Sequence, residues 1–416
     1  MKVLWFSVTP SSYSTKRNAH NGGGWIESLE RIVLSHKDID LGIAFIASDN
    51  DNFKKTIHGV VYYPIKIKRS KIDLLKDLYD IKEYDKQAID KYLKVIDDFK
   101  PDIIQIFGSE WNFGLIKEHT NIPIIIHMQG FWPEYLNSSF PPGTSKKDYI
   151  LERWYKPTSI FRRYLNEIAS VNRALREEKI LRINDNFFGR TKWDKAIVKL
   201  YNKQARYFYC SEALRTTFST EVRRWSYKSD VNFTFITIGG GHVLKGYDLV
   251  LRASKLLKEN SCINFQWLLC GPTKDQISLF EKRTNIKCKD VSVFPLGKCS
   301  AEELKDKLLN ATLYIHTSYI DNSPNSVCEA QYLGLPVIAT NVGGTSSLFS
   351  KDYPSDMLVP TNDPYYLASK IIELCNDKIK INKMAEDNYM IARERHNDDN
   401  IYNSLINAYK NIYYEK

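Results

Sequence analysis

The sequence predicts an α/β protein built from two doubly wound domains, and three observations predict it. The chain has 416 residues, too many for one ordinary core and suited to two domains of roughly 200 residues each. Short apolar runs of strand length alternate with stretches whose apolar residues fall at helical spacing, as in parallel sheets buried on both faces. Glycine-rich turns end several of those runs, where open α/β sheets bind their ligands.

Composition excludes several classes. Hydrophobic residues make up 43% and charged residues 26%, a globular balance, and no apolar run approaches the roughly 20 residues of a membrane span. The opening MKVLWFSVTP carries one lysine and turns polar without a small-residue cleavage site. It therefore reads as a first buried strand and not as a signal peptide, so the expected location is the cytoplasm, with a peripheral place on the inner face of the membrane left open. Seven cysteines without C-x-x-C spacing argue against a disulfide framework and a zinc site, and read mostly as buried thiols. The net charge of +10 is uneven, since residues 151–225 hold 17 Lys+Arg against 8 Asp+Glu, interleaved with aromatics from Trp154, Tyr155, Phe161 and Tyr164 to Phe187, Phe188 and Trp225. An anionic membrane surface, a pocket for a phosphorylated acceptor and a merely solvated basic face all fit that pattern. No nucleic-acid motif accompanies it, and no nucleic-acid partner is expected.

Residues 3–6 form the opening strand, followed by a polar loop, Gly22-Gly23-Gly24, and a helix marked by Ile26, Leu29, Ile32 and Val33. Glycines there let a ligand's polar group approach the backbone, although a plain tight turn would use the same residues. Strands follow at 41–47 and 60–64, a helix at 72–100, and strands at 101–108 and 123–127. His127 and Glu110 stand at or just past strand ends, where ligand residues sit in such sheets. A structural histidine and a helix-start acid are the alternatives. Residues 131–203, opening with Trp132, read as a helical insertion suited to acceptor recognition, with helices at 158–182 and 191–201. A last strand at 207–210 leads to a linker near 225–232.

The second domain opens with a strand at 233–238 that runs into Gly239-Gly240-Gly241-His242-Val243-Leu244-Lys245-Gly246 and a helix at 247–257. A lysine so placed can set its ammonium on a diphosphate. The spacing is not that of nucleotide hydrolases, because Lys245 precedes Gly246 and no Ser or Thr follows. Strands at 264–271 and 291–297 bring Gly271 and Leu296 where a nucleobase could lie against the backbone, or where turns simply demand glycine.

Residues 321–344 are the densest stretch. A helix is expected from Pro324, capped by Ser323, to about Leu333, ahead of Gly334 and Pro336. Its first turn, at Asn325, Ser326 and Val327, presents amides and a positive dipole end to an anion. Asp321 and Glu329 would repel phosphate, so they read as acceptors for sugar and ribose hydroxyls, or else as a solvated loop acid and a helix-surface acid. Helices at 364–377, 379–395 and 399–414 close the chain. The expected domains are 1–228 and 229–395, with 396–416 a helix packing back on the first.

An acid, seven residues, Glu-Ala and then G-L-P-V-I-A-T-x-x-G-G resembles the donor-binding signature of glycosyltransferase family 4, retaining enzymes of the GT-B fold. The resemblance implies two doubly wound, Rossmann-like domains facing a cleft and a nucleotide-diphosphate sugar as donor. Lys245 would be a diphosphate-binding cation, with Gly240 and Gly241 in its loop, and Glu329 and Asp321 would hold ribose and sugar. His127 would lie beside the transferred sugar, and Gly23 and Gly24 near the donor phosphates. Gly22, Glu110 and Trp132 are the acceptor-side candidates, for a glycan or lipid-linked acceptor. This chain departs from the family at Asp321, usually Glu, and at Gly240, where an Arg normally stands five residues before the Lys; His242 or another basic residue could substitute. No D-x-D pair ends a strand, so neither metal nor cofactor is expected. Retaining sugar transfer in surface polysaccharide or glycoconjugate synthesis is the implied activity. A sugar-nucleotide epimerase of related fold, or a non-catalytic sugar-nucleotide-binding or membrane-surface protein, are the alternatives.

Overall fold

The computed structural model describes residues 1–13, 24–47, 53–68, 70–140, 143, 145–151, 157–228 and 231–414. Gly22, Gly23, Trp154 and Tyr155 lie outside them, as does most of the turn expected at 140–144. The chain divides into two compact units, Met1–Ala213 with Asp398–Lys416, and Leu214–Asn397.

The first unit runs β1 (Lys2–Ser7), α1 (Gly24–His36), β2 (Asp40–Ile46), β3 (Lys55–Ile57), β4 (Val60–Ile65), α2 (Lys71–Tyr79), α3 (Lys82–Phe99), β5 (Ile103–Phe107), β6 (Ile124–His127), α4 (Trp132–Asn137), α5 (Lys146–Leu151), α6 (Pro157–Ile183), β7 (Asn186–Gly189), α7 (Lys192–Tyr201) and β8 (Arg206–Tyr209). The second runs α8 (Thr216–Ser219), β9 (Phe233–Ile238), α9 (Tyr247–Asn260), β10 (Phe265–Cys270), α10 (Lys274–Thr284), β11 (Val293–Gly297), α11 (Ala301–Asn310), β12 (Leu313–His316), α12 (Asn325–Tyr332), β13 (Val337–Thr340), β14 (Leu358–Val359), α13 (Pro364–Cys375) and α14 (Lys378–Arg395). The chain then returns to the first unit as α15 (Asp398–Tyr414).

The first sheet has the order β3-β4-β2-β1-β5-β6-β7-β8, parallel except for the β3–β4 hairpin. Alternation along β1 explains the two covering layers. Val3 and Trp5 pack with α1 and α15, where the Trp5 indole donates to the Tyr409 hydroxyl at 3.1 Å. Leu4 and Phe6 pack on the other side with Ile89, Tyr92 and Ile96 of α3 and with Ile180 and Leu181 of α6. The second sheet, order β11-β10-β9-β12-β13-β14, is wholly parallel. Its strand order turns around between β9 and β12, so the loops leaving those two strands meet at the crevice where such sheets take ligands.

Four local expectations are corrected. The helix at 72–100 is two, because Asp80 is extended (φ −138°, ψ 114°) and ends α2. The 131–203 stretch is not an all-helical insertion, since β7 lies within it and joins β6 to β8 in the sheet. The division between units falls at Ala213/Leu214 and not at 228/229, because Leu214, Phe218 and Trp225 belong to the second core and the Trp225 indole donates to the Ala311 carbonyl at 2.7 Å. Helix α12 is capped by Pro324, whose carbonyl accepts from Val327 and Cys328, and so begins at Asn325, one residue later than expected. The basic aromatic segment is likewise not one surface. Phe187, Phe188 and Trp225 are buried, whereas Phe161 and Tyr164 are exposed. All seven cysteines are free, and all are buried except exposed Cys262 and half-buried Cys299.

Candidate functional site

In the second unit, the loop after β9 brings Lys245 against the loop after β12. Gly246 makes this approach possible. It adopts φ +67°, and a Cβ there would stand 2.0 Å from the Thr317 carbonyl oxygen, so only glycine fits. Thr317 Oγ1 donates to the Lys245 carbonyl at 2.8 Å and the Tyr319 amide to the Leu244 carbonyl at 2.8 Å, locking the two loops together. Gly343 supports Asp321 from the other side, at φ +48° with its Cβ position 2.1 Å from the Asp321 carbonyl oxygen.

Within that frame Lys245 Nζ donates to Asp321 Oδ2 at 2.6 Å. The same oxygen lies 3.4 Å from His316 Nε2 and 3.4 Å from Ser318 Oγ. Burial opposes a charge on Asp321, but the Lys245 ammonium and the His316 ring outweigh it and hold the carboxyl well below the usual range. Burial lowers the His316 pKa against the pull of Asp321. Lys245 keeps 29% of its side chain exposed, so the ammonium is anchored yet reachable.

Helix α12 starts beside this pair. Asn325 and Ser326 lie in its first turn, where amides lack intrahelical acceptors. Val327, expected to share that role, has its amide bonded to the Pro324 carbonyl at 2.9 Å and its side chain in the core. The Ser326 hydroxyl accepts from Tyr314 at 2.7 Å. Glu329 is 2% exposed and is held by Arg215, with Nε to Oε1 at 2.6 Å and Nη2 to Oε2 at 2.7 Å. Such a fork holds the acid in one orientation.

The remaining second-unit candidates are more dispersed. Gly240 is open, with nothing within 4 Å of its Cβ position, while Gly241 lies against the Gln276 side chain. Gly271 directly follows β10 and Leu296, 40% exposed, lies on β11. His242, expected as a partial substitute for the missing arginine, lies in the same loop. Its Nδ1 accepts from the Leu244 amide at 3.3 Å, and burial followed by Lys245 pushes its pKa down, so the ring is neutral.

In the first unit, His127 ends β6 fully buried among Trp25, Phe107 and Phe188, with ring centroids 5.1, 6.0 and 5.4 Å away. Burial and then Arg190 push its pKa down to about 3, so it too is neutral. Gly24 begins α1 one residue before Trp25. Arg190 follows β7 and pairs with Glu212 at 3.4 Å, both buried. Oε2 of Glu110 is buried without a hydrogen-bond partner among the described residues. Trp132 spends its polar groups on α6, donating its amide to Glu177 Oε2 at 2.6 Å and its indole N–H to the Ser170 carbonyl at 3.0 Å.

Arg190, Arg215, Glu177, Glu212, His316 and Ser318 were not singled out from the sequence. His316 ends an apolar strand just as His127 does, so one rule would have found both. Glu177 falls three residues from buried Ala174 and three from buried Ile180, an acid on the apolar stripe of a helix. Nothing local marks Arg215.

Glu110 and Glu177 share an environment that makes a pH prediction. Burial first, and for Glu177 also the Glu110 charge, raises both carboxyl pKa values, Glu177 to about 8. The folded chain thus holds a proton that the unfolded chain releases above about pH 4.3. Stability falls as pH rises from that range through about 8, then levels off. Thermal melts across this window should show a falling Tm, and Glu177→Gln should flatten the fall, since its amide can accept from Trp132 and donate to Ser109.

Residues 220–390 match the family profile described as glycosyl transferases group 1. The chain is 36% identical over 93 residues to the putative teichuronic acid biosynthesis glycosyltransferase TuaC of Bacillus subtilis, a stretch covering 22% of this chain and 23% of that protein. Among solved structures it is similar to sucrose-phosphate synthase from Thermosynechococcus elongatus, with TM-score 0.73 and 13% identity over all of both chains. It is also similar to Anabaena HepE in complex with UDP and glucose, with TM-score 0.62 and 14% identity over 99% of each chain. The chain therefore has the GT-B fold, and its residues 220–390 carry the group 1 glycosyl transferase pattern.

Proposed function

We propose that this chain is a retaining glycosyltransferase of family 4 that moves a sugar, a hexose by preference, from a nucleotide-diphosphate sugar to a hydroxyl of a glycan or lipid-linked acceptor, at the cytoplasmic face of surface polysaccharide or glycoconjugate synthesis. The observation that carries this reading is the Lys245–Asp321 pair beside the first turn of α12. A diphosphate needs a cation and convergent amides, and a sugar needs a fixed acceptor for its hydroxyls. Both stand at the turning point of one sheet.

During transfer the bond from the anomeric carbon to the diphosphate breaks, and the acceptor oxygen bonds to that carbon from the same face. The acceptor's proton passes to a diphosphate oxygen. Lys245 and the Asn325 and Ser326 amides stabilise the growing diphosphate charge, the task that dominates such a step. Asp321 orients the sugar, and Glu329, locked by Arg215, keeps a lone pair on each oxygen for the ribose. Charge neutralisation rests on these groups and needs no metal. In the first unit, His127 and Glu110 are assigned to sugar and acceptor.

A panel of nucleotide sugars tests the reading. Nucleoside diphosphate release together with a glycosylated acceptor supports it. Epimerised sugar without transfer, or donor binding without turnover for every acceptor, overturns it. The open space at Gly240 adds a second measurement. Gly240→Arg should restore the guanidinium that relatives carry and tighten donor binding about tenfold, the value of one charge-assisted hydrogen bond. Calorimetry reads the affinity, and Tm should stay unchanged because the new Cβ meets nothing.

A further inference from the structure

The loop after β12 carries more than Asp321. Tyr319, two residues before it, is buried, and its hydroxyl donates at 2.8 Å to Oδ2 of Asp248. Asp248 is also buried, and stands at the second position of α9, three residues after Lys245. One side-chain bond therefore ties the loop that holds the carboxylate to the helix that follows the ammonium's loop. The Tyr319 hydroxyl also stands 3.4 Å from Asn362 Oδ1, in the loop after β14, which is too long to compete. Arg252, one turn along α9, has its Nη1 3.5 Å from the same Asn362 oxygen. Oδ1 of Asp248 is buried with no hydrogen-bond partner among the described residues, so Tyr319 is the contact that fixes this carboxyl's orientation. Burial, and then the Asp248 charge, push the phenol's pKa up, and it stays a donor.

We propose that Tyr319 and Asp248 are positioning residues that set where the Lys245 ammonium stands during sugar transfer. The inference rests on the reading of Lys245 as the diphosphate cation, and adds what holds it in place. A lysine carries its charge on a flexible four-carbon stem, so the backbone beneath it must be held if the charge is to stay put. The Thr317 hydroxyl and the Tyr319 amide bind the carbonyls of Lys245 and Leu244. Both bonds lie on the N-terminal side of Gly246, whose φ of +67° marks the least restrained residue of the loop. The bond from the Tyr319 hydroxyl to Asp248 lies on the other side of that glycine. Tyr319 thus holds the chain both before and after Gly246, and the start of α9 cannot swing about it. Burial keeps water from competing for the bond. The Thr340 hydroxyl, donating to the Ser318 carbonyl at 2.6 Å, fixes the β12 loop itself. Because Tyr319 is two residues from Asp321, the same bond fixes the spacing between the ammonium and the carboxylate that shares it. That spacing decides how much of the positive charge a diphosphate can use.

Initial rates of nucleoside diphosphate release from a panel of UDP-, GDP- and ADP-sugars, taken on variants whose thermal melts show them folded, test the proposal. Tyr319→Phe should lower kcat about fivefold, the worth of one hydrogen bond, with donor KM changed less than about twofold. Asp248→Leu should match it, and Asp248→Asn, whose amide oxygen still accepts from the hydroxyl, should recover most of the loss. The deciding measurement is Tyr319→Phe in the Lys245→Ala background. With the ammonium gone the substitution has nothing to misplace, and the rate should fall less than about twofold further. A full rate in folded Tyr319→Phe, alongside a lowered rate in Lys245→Ala, overturns this inference and leaves the diphosphate reading standing. A loss from Tyr319→Phe that persists undiminished in the Lys245→Ala background also overturns it, and makes the bond a support of the fold alone. A full rate in Lys245→Ala overturns the diphosphate reading and this inference with it.

Discussion

Lys245→Ala is expected to lower kcat for sugar transfer by about 10²–10³-fold, the loss seen when one preorganised charge-stabilising group is removed from a transfer site. The ammonium has no chemical part in bond making, so its worth lies in the charge that grows on the diphosphate as the sugar leaves. In the free chain that ammonium is held 2.6 Å from Asp321. A bound diphosphate must therefore share it with the carboxylate, which separates two variants that would otherwise look alike. Asp321→Asn releases the ammonium entirely to phosphate, so it should bind a bare nucleoside diphosphate more tightly than the parent while transferring sugar more slowly. Lys245→Ala should weaken both. Initial rates over a donor series, with calorimetry on the nucleoside diphosphate, check the pair. If the rate with Lys245→Ala stays within about threefold of the parent, the diphosphate lies elsewhere.

Much of the fold was legible because parallel strands buried on both faces must be short apolar runs, and residues 103–107, 124–127 and 313–316 are such runs. β7 was not, being four residues that begin with Asn186 and end in Gly189, too brief for a period to show. Lys245 and Asp321 were legible one at a time, each in a polar loop after an apolar run. Their pairing was not, because 76 residues separate them and only the strand order β9-β12 brings their loops together. The stripe of Phe161, Tyr164, Val171 and Leu175 on α6, exposed in the structure, shows the opposite limit. Its helical period is plain in the sequence, but periodicity says only that a helix has an apolar side. Which side meets the core was decided by Ala174, Glu177, Ile180 and Leu181, whose mixture of small, acidic and apolar residues hid a second stripe.

Glu329→Ala is the other change with a large expected effect, and it acts on the fold as well as the site. Removing the acid leaves the Arg215 guanidinium over the Phe218 ring without its carboxylate. Breaking a buried pair from one side costs about 3 kcal/mol at the lower end of the usual range, appropriate here because Arg215 is 26% exposed. For a unit of this size that lowers Tm by about 6–12 °C. Loss of donor binding in this variant alone would therefore be ambiguous. Removing both partners resolves it, since Glu329→Met with Arg215→Met fills similar volume without a stranded charge and should recover most of the stability. Glu329 as ribose holder requires that donor affinity stay low in the double variant even as Tm returns. If affinity returns together with Tm, Glu329 serves only to anchor Arg215 beneath α12, and the ribose must be held by another group.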